Sequence, residues 1–353
     1  LQTTTTGAPK IVDWVTYTHP FTDGDPTWVP VGTTVSGPSF TVGGVTYTAP
    51  AAGNFRFGVF NERHPNLGGE VGNDVNRDGN PAGSSGLFGV LWDGASTAWV
   101  DVDQDLSFAD ETTMTDYKVN RDVRYFGTDD PATPVAEAMP FVVQIDGQNK
   151  AVNIGIVSGA HGTHAAGILA ADNLFGGAMS GAAPGAQIVS VRVCLFVAGC
   201  TAHALIEGMI YAAKTANVDV INMSIGGLPA LNDANNTRAV LYDRLISQYG
   251  VQMFISAGNS GPGENTVGDP SVASNVMSIG AYVTDATWAA NYGSTAPAPG
   301  TDNLHPFSSR GPREDGGFKP NVVAPGAAIS STPLWQAGGP VPGVHELPPG
   351  YSM

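Results

Sequence analysis

The stretch Val152-Asn-Ile-Gly-Ile-Val157 followed by Ser158-Gly-Ala-His161-Gly-Thr-His164-Ala-Ala-Gly167-Ile-Leu-Ala170 constrains this chain more than any other. Its first half is short and rich in β-branched residues, which predicts a buried parallel strand. Its second half is a run of small residues. That predicts a helix beginning at the histidine, thin enough to pack flat on a sheet, with Gly162 and Gly167 permitting close backbone approach. His161 then stands at the carboxyl end of a strand, where open α/β sheets place their chemistry.

His161 and His164 are three residues apart, so both can face one way and hold a metal. The zinc-protease helix pattern, two histidines four apart with a glutamate between, does not occur here. A histidine that merely starts a helix is the plain structural alternative. Two further apolar runs, Val218 to Ile225 and Val251 to Ser256, each stop in a polar, glycine-rich loop. Loops after parallel strands are places where a substrate backbone can be gripped. Asn259, in Ser256-Ala-Gly-Asn-Ser-Gly-Pro262, offers a neutral amide donor with little bulk around it, suited to an oxyanion. Taken alone, the same tetrapeptide reads as an ordinary turn.

Five motifs occur in a fixed order: His161-Gly-Thr-His-Ala-Ala-Gly167, Asn222-Met-Ser-Ile-Gly-Gly227, Ser256 to Pro262, Phe307-Ser-Ser-Arg-Gly-Pro312 and Lys319-Pro-Asn-Val-Val-Ala-Pro-Gly326. In that order the chain resembles the subtilisin-like serine proteases. The resemblance implies an α/β, subtilisin-like three-layer fold with a mostly parallel central sheet, plus a β-rich inserted region on the N-terminal side. It implies a serine-type peptidase acting on polypeptide, with no cofactor for catalysis. His161 would be the general base and Asn259 the oxyanion-hole side chain. Ser224-Ile225-Gly226 and Ala257-Gly258 would be the backbone segments flanking the primary specificity pocket. The family's aspartate in the last motif is Asn321 here.

Such a mechanism also needs a serine nucleophile and a carboxylate that orients the base. The family's serine lies in Gly-Thr-Ser-Met-Ala, and Gly350-Tyr351-Ser352-Met353 matches three of its first four positions. Tyr351 is bulky where a small residue belongs, and the tail from Leu347 also resembles the segment just ahead of that motif. The opening Leu1 to Val15 resembles the segment following the catalytic Asp-Thr-Gly strand in the tripeptidyl-peptidase II branch, which would put the aspartate before Leu1. Asp101, in Trp99-Val-Asp-Val102, is an internal rival without the following Thr-Gly or Ser-Gly; Asp146 is another. Without an initiating methionine or signal peptide, the chain is expected to be an internal piece of a longer precursor, lacking its C-terminal serine helix and inactive alone. The alternatives are a catalytically inactive subtilase-like binding module and a metal-dependent hydrolase built on His161 and His164.

Strand and helix signals divide the chain into a β-rich accessory region, 1–150, and a catalytic core, 151–353. Ser39-Phe-Thr-Val and Val45-Thr-Tyr-Thr flank Gly43-Gly44, a two-residue hairpin, and Phe88 to Trp92 followed by Trp99-Val reads as a second pair. Thr201 caps one predicted helix, in which His203 is a surface or packing residue rather than a catalyst; a second runs from Asn235 to Tyr249 and stops at Gly250.

With 31 acidic against 15 basic residues the net charge is -16, and no basic run interrupts it, which argues against nucleic acid as a partner. An acidic, lysine-poor chain of this kind suits a secreted, extracellular enzyme. No apolar run reaches membrane-spanning length. Asp74, Asn76 and Asp78, turning at Gly79, repeat oxygen ligands at every second residue as calcium loops do, and Asp101, Asp103 and Asp105 do the same without the glycine. Either loop could hold a structural calcium; the plain alternative is a solvated acidic hairpin end, and neither has the bidentate glutamate at the twelfth position. Cys194 and Cys200, six apart around a glycine, are expected to form a disulfide that fixes a loop near the substrate cleft.

Overall fold

Short strands recur through the first half of the molecule, and in several of them buried and more exposed positions alternate. The structure, a computed structural model, describes residues 2–67, 85–128, 132, 138–156, 160–177, 179–196, 199–228, 231–285 and 302–326. These residues fall into two compact units, divided after Leu205.

The first unit contains β1 (Ile11–Thr16), β2 (Trp28–Pro30), β3 (Thr33–Ser36), β4 (Ser39–Val42), β5 (Val45–Thr48), β6 (Asn54–Asn61), β7 (Leu87–Trp92) and β8 (Ala98–Val100). The short helix α1 (Tyr117–Asn120), β9 (Arg124–Phe126), β10 (Met139–Asp146), β11 (Ala151–Ile156), α2 (Ala160–Ala170), α3 (Leu174–Gly177) and β12 (Ile188–Arg192) follow. Two antiparallel sheets, β2-β11-β10-β9 and β3-β6-β7-β8, bury a shared core that includes Val29, Phe60, Phe88, Phe126, Phe141 and Ile154. Its rings pack closely, Phe126 stacking on Phe141 at 4.2 Å and meeting Phe88 at a tilt at 4.4 Å. A second cluster, Phe40, Tyr47, Phe55, Phe57 and Phe108, joins the β4–β5 hairpin to β6. That hairpin turns at Gly43-Gly44 as expected, with φ of 60° and 84°. Both angles positive is what a tight right-twisted hairpin requires, and glycine adopts them without strain. The β7–β8 pair also forms where the sequence places it.

One expectation is corrected. The run at 152–157 was expected to be a buried parallel strand; β11 is buried throughout but antiparallel to both β10 and β2. Burial is continuous along β11 because both faces are covered, and that covering is indifferent to strand direction. Val152, Ile154 and Ile156 enter the shared core. On the opposite face a Cβ at Gly155 would lie 2.4 Å from the Trp14 ring, so only glycine admits β1 that closely. Residues 157–159, between β11 and α2, lie outside the described residues.

β1 and β12 run parallel. Behind them lies a buried polar network centred on Asp25. Its carboxylate accepts from Thr18 Oγ1 at 2.6 Å, from the Thr27 amide at 3.0 Å and from the Arg192 guanidinium at 2.5 Å. Arg192 also donates to Thr27 Oγ1 and to the Cys194 carbonyl. Just beyond it Cys194 and Cys200 are disulfide-bonded, as the sequence predicts, and the Leu195 amide donates across the loop to the Gly199 carbonyl at 2.8 Å.

Helix α4 (Ala202–Ile210) begins in the first unit, with the Thr201 hydroxyl accepting from the Ala204 amide at 3.1 Å. It runs on into a wider turn, Tyr211–Thr215. The second unit then adds β13 (Val220–Met223), α5 (Thr237–Tyr249), β14 (Gln252–Ser256), β15 (Met277–Val283), β16 (Asn303–Leu304) and β17 (Val322–Pro325). β13, β14, β15 and β17 are parallel neighbours in that order, and β16 adds two antiparallel residues to β15. Asn236 caps α5 through the Ala239 amide, and Gly250 ends it at φ 71°. The sequence-predicted boundaries of this helix thus hold to within two residues.

Among these contacts the Asp25–Arg192 pair offers the sharpest test. Asp25→Ala would leave a guanidinium buried without its counter-charge, a loss of about 3–5 kcal/mol. The denaturant midpoint of the variant should fall accordingly; a change below about 1 kcal/mol would show that the pair contributes nothing beyond its neighbours' hydrogen bonds.

Candidate active site

His161 is the second residue of α2 and belongs to the first unit. Its imidazole is exposed and makes no hydrogen bond to any described residue. His164, one turn on, is half-buried, and its Nε2 has no partner among the described residues. Burial first, and the neighbouring His161 second, push His164 below the ordinary imidazole range. The far end of α2 is fastened by backbone: Ala182 and Ala183 amides donate to the Ile168 and Leu169 carbonyls at 2.9 and 2.7 Å. These bonds satisfy acceptors that a helix terminus otherwise leaves open. They fix the helix while leaving His161 accessible at its other end.

The expected substrate-contacting loops belong to the second unit. Ser224, Ile225 and Gly226 follow β13; Ala257, Gly258 and Asn259 follow β14. The structure brings these two segments together. Gly227 and Asp269 exchange both backbone hydrogen bonds, at 3.1 and 2.8 Å, and the Gly268 amide donates to the Ala257 carbonyl at 2.8 Å. Asp269 is itself held by an ion pair with Arg238 of α5. Ser224 and Gly226 remain exposed and Ile225 half-buried, so their backbone is presented along an open edge.

Asn259 is positioned from behind. Ala257 is fully buried, and its amide donates to the Ile279 carbonyl of β15 at 2.8 Å. Gly258 sits at φ 111°, with its carbonyl accepting from the Ser309 amide at 3.0 Å. The Ser309 hydroxyl accepts from the Ser260 amide at 3.0 Å, and the Gly261 amide donates to the Phe307 carbonyl at 2.9 Å. Between these anchors the Asn259 amide is exposed and makes no hydrogen bond to any described residue. A donor held in place yet unoccupied is what stabilising a developing oxyanion requires.

Ser308 and Ser309 are functional supports that sequence reasoning did not assign, although it had marked their motif. The Ser308 hydroxyl accepts from the Ala281 amide at 3.0 Å, tying the same segment to β15. Asn321 explains its own departure from the family pattern: its Oδ1 accepts from the Ser278 amide at 2.9 Å and from Lys319 Nζ at 3.1 Å. The position needs an acceptor oxygen, which an amide supplies as a carboxylate would. Lys319 is buried here, and desolvation, followed by the Arg313 charge, lowers it to about 8.

Neither internal aspartate is placed as an orienting carboxylate. Asp101 Oδ2 accepts from the Leu106 amide at 3.2 Å, and no described histidine bonds to it. Asp146 caps a turn through the Asn149 amide and side chain. Ser352, and the calcium candidates Asp74, Asn76 and Asp78, lie outside the described residues. No third histidine, cysteine or carboxylate among the described residues joins His161 and His164 in a metal-binding group.

A profile of the subtilase family matches residues 59–343. The chain therefore belongs to the subtilase family of serine peptidases. It is 34% identical over 348 residues to pyrolysin of Pyrococcus furiosus, an alignment taking in 84% of this chain and 23% of that protein. It is 36% identical over 202 residues to tripeptidyl-peptidase 2 of Caenorhabditis elegans, 56% of this chain and 14% of that one. The chain thus spans less than a quarter of the length of either relative. The crystal structure of tripeptidyl peptidase 2 superposes on 92% of this chain, and 29% of its own, with a TM-score of 0.67 at 20% identity. That likeness shows the α/β subtilase fold expected from the motifs. No described helix is long and apolar enough to cross a membrane.

The locked loop makes a specific prediction. Gly258→Ala would force a side chain into a left-handed backbone with the Ser309 hydroxyl 2.9 Å away, a cost of about 1–3 kcal/mol. Gly263→Ala, whose Cβ would make only an ordinary 3.8 Å contact with Thr266, is the control. Paired thermal melts should separate the two variants, and equal melting temperatures would contradict the strain argument.

Proposed function

We propose that this chain carries the general base and the oxyanion-hole amide of a serine peptidase that hydrolyses polypeptides through an acyl-enzyme. The observation that carries this reading is Asn259, an exposed and unbonded amide on a loop anchored at Ala257, Gly258, Ser260 and Gly261. The exposed imidazole of His161, at the free end of a fastened helix, supplies the proton acceptor.

In this mechanism His161 takes the proton of a serine hydroxyl as its oxygen bonds to the scissile carbonyl carbon. The carbonyl electron pair moves onto oxygen, where the Asn259 amide donates to it. Collapse of the tetrahedral species expels the amine, which receives its proton from His161, and water then repeats the sequence on the ester. Ser224-Ile225-Gly226 and Ala257-Gly258 line the primary specificity pocket and hold the substrate backbone. The serine and the orienting carboxylate come from outside the described residues. The activity is that of an endopeptidase or a tripeptidyl-type exopeptidase. The acidic surface charge and the Cys194–Cys200 disulfide favour an extracellular setting.

In the full-length protein His161→Ala should lower turnover of a peptide substrate by several orders of magnitude, leaving only binding and oxyanion stabilisation. Asn259→Ala should cost about 10²–10³-fold in kcat, the loss that follows removal of one such donor from subtilisin itself. Turnover near the parent value in the His161 variant would overturn the assignment.

A further inference from the structure

We propose that Asp101, Asp103 and Asp105 form a calcium site in the loop after β8. One carboxylate oxygen from each of the three aspartates lies within 4.8 Å of the others. Asp101 is the anchor. It is 1% exposed, its amide donates to the Gly89 carbonyl at 2.9 Å, and its Oδ2 accepts from the Leu106 amide. Its Oδ1 is shut off from solvent and has no hydrogen-bond partner among the described residues. A buried carboxylate oxygen left without a donor is costly, and the cost is removed if a cation takes the lone pair.

The surrounding charges point the same way. Glu111 is half-buried, held by the Val102 amide on Oε1 at 2.6 Å. No described lysine or arginine forms an ion pair with any of the three aspartates or with Glu111. Three carboxylates converging without a protein cation form a hard, all-oxygen donor set, and nitrogen and sulfur ligands that would favour zinc are missing from it. Calcium suits such a set because it tolerates irregular geometry and completes its shell with carbonyls and water.

The loop is built to transmit the effect. Gln104 and Leu106 both hold left-handed backbone, φ 60° and 68°. The Thr48 amide donates to the Leu106 carbonyl at 2.9 Å, and the Phe108 amide to the Thr48 carbonyl at 2.8 Å. A cation bound here would therefore join the β8 loop to the β4–β5 hairpin over the Phe40–Phe108 cluster, stabilising the first unit.

The test counts bound calcium on the full chain after chelator treatment and exchange, so it stands or falls apart from the peptidase reading. The double variant Asp103→Asn, Asp105→Asn alters two exposed carboxylates and should bind one calcium fewer per chain than the parent. The calcium-induced rise in melting temperature should shrink with it. Asp74→Asn with Asp78→Asn, in the separate acidic loop, should leave that particular equivalent in place. If the double variant does not fold, Asp103→Asn alone should weaken the same equivalent at least about tenfold. An unchanged stoichiometry and affinity in these variants, or no calcium bound by the parent, would overturn the proposal.

Discussion

The hydrogen bonds between the Phe307–Arg310 segment and the loop after β14 are the constraint on which the candidate site depends. That loop leaves the sheet at Ala257 and must run for several residues without a strand partner. Left to itself it would sample many backbone states, each fixed residue costing about 1–2 kcal/mol. Ser309 removes that freedom by bonding on both sides of Asn259, to the Gly258 carbonyl and the Ser260 amide. Ser308 anchors the same segment to β15 through Ala281. The result is a donor whose position is set before substrate arrives, so that little reorganisation is needed as charge develops.

The first unit solves a different problem, covering strands on both faces. β11 is buried between a phenylalanine-rich core and Trp14 of β1, and Gly155 is the concession that lets the second contact form. β12 is tied to the segment before β2 by the Asp25–Arg192 network and leads straight into the disulfide loop. A fixed scaffold beneath short loops is the arrangement in which loop residues can carry chemistry without loss of precision.

Much of this was legible in the sequence where local chemistry decides local structure. Two glycines between alternating strands specify a tight hairpin; a threonine or asparagine before an apolar periodicity, and a glycine after it, specify the ends of α4 and α5. The loops carrying Ser224–Gly226 and Ala257–Asn259 were found from strands that stop in glycine. What was not legible depends on contacts between distant segments. The apolar run of β11 reports burial on two faces, and direction is set by β10 and β2. The role of Ser308 and Ser309 requires knowing that residues some fifty positions apart are neighbours. Asn321 looked like a lost carboxylate, and only its partners show that an acceptor oxygen is what the site uses. The acidic repeat at Asp101 was visible as spacing, whereas the partnerless Oδ1 was not.

The central claim is that His161 activates a nucleophile whose attack Asn259 supports. It is tested most directly by the second-order rate at which a fluorophosphonate labels the full-length protein, since that reagent reacts only with a serine activated by a base beside oxyanion donors. The account predicts stoichiometric labelling of one serine in the parent, none above background in His161→Ala, and markedly slowed labelling in Asn259→Ala. Labelling of the His161 variant at the parent's rate would contradict it.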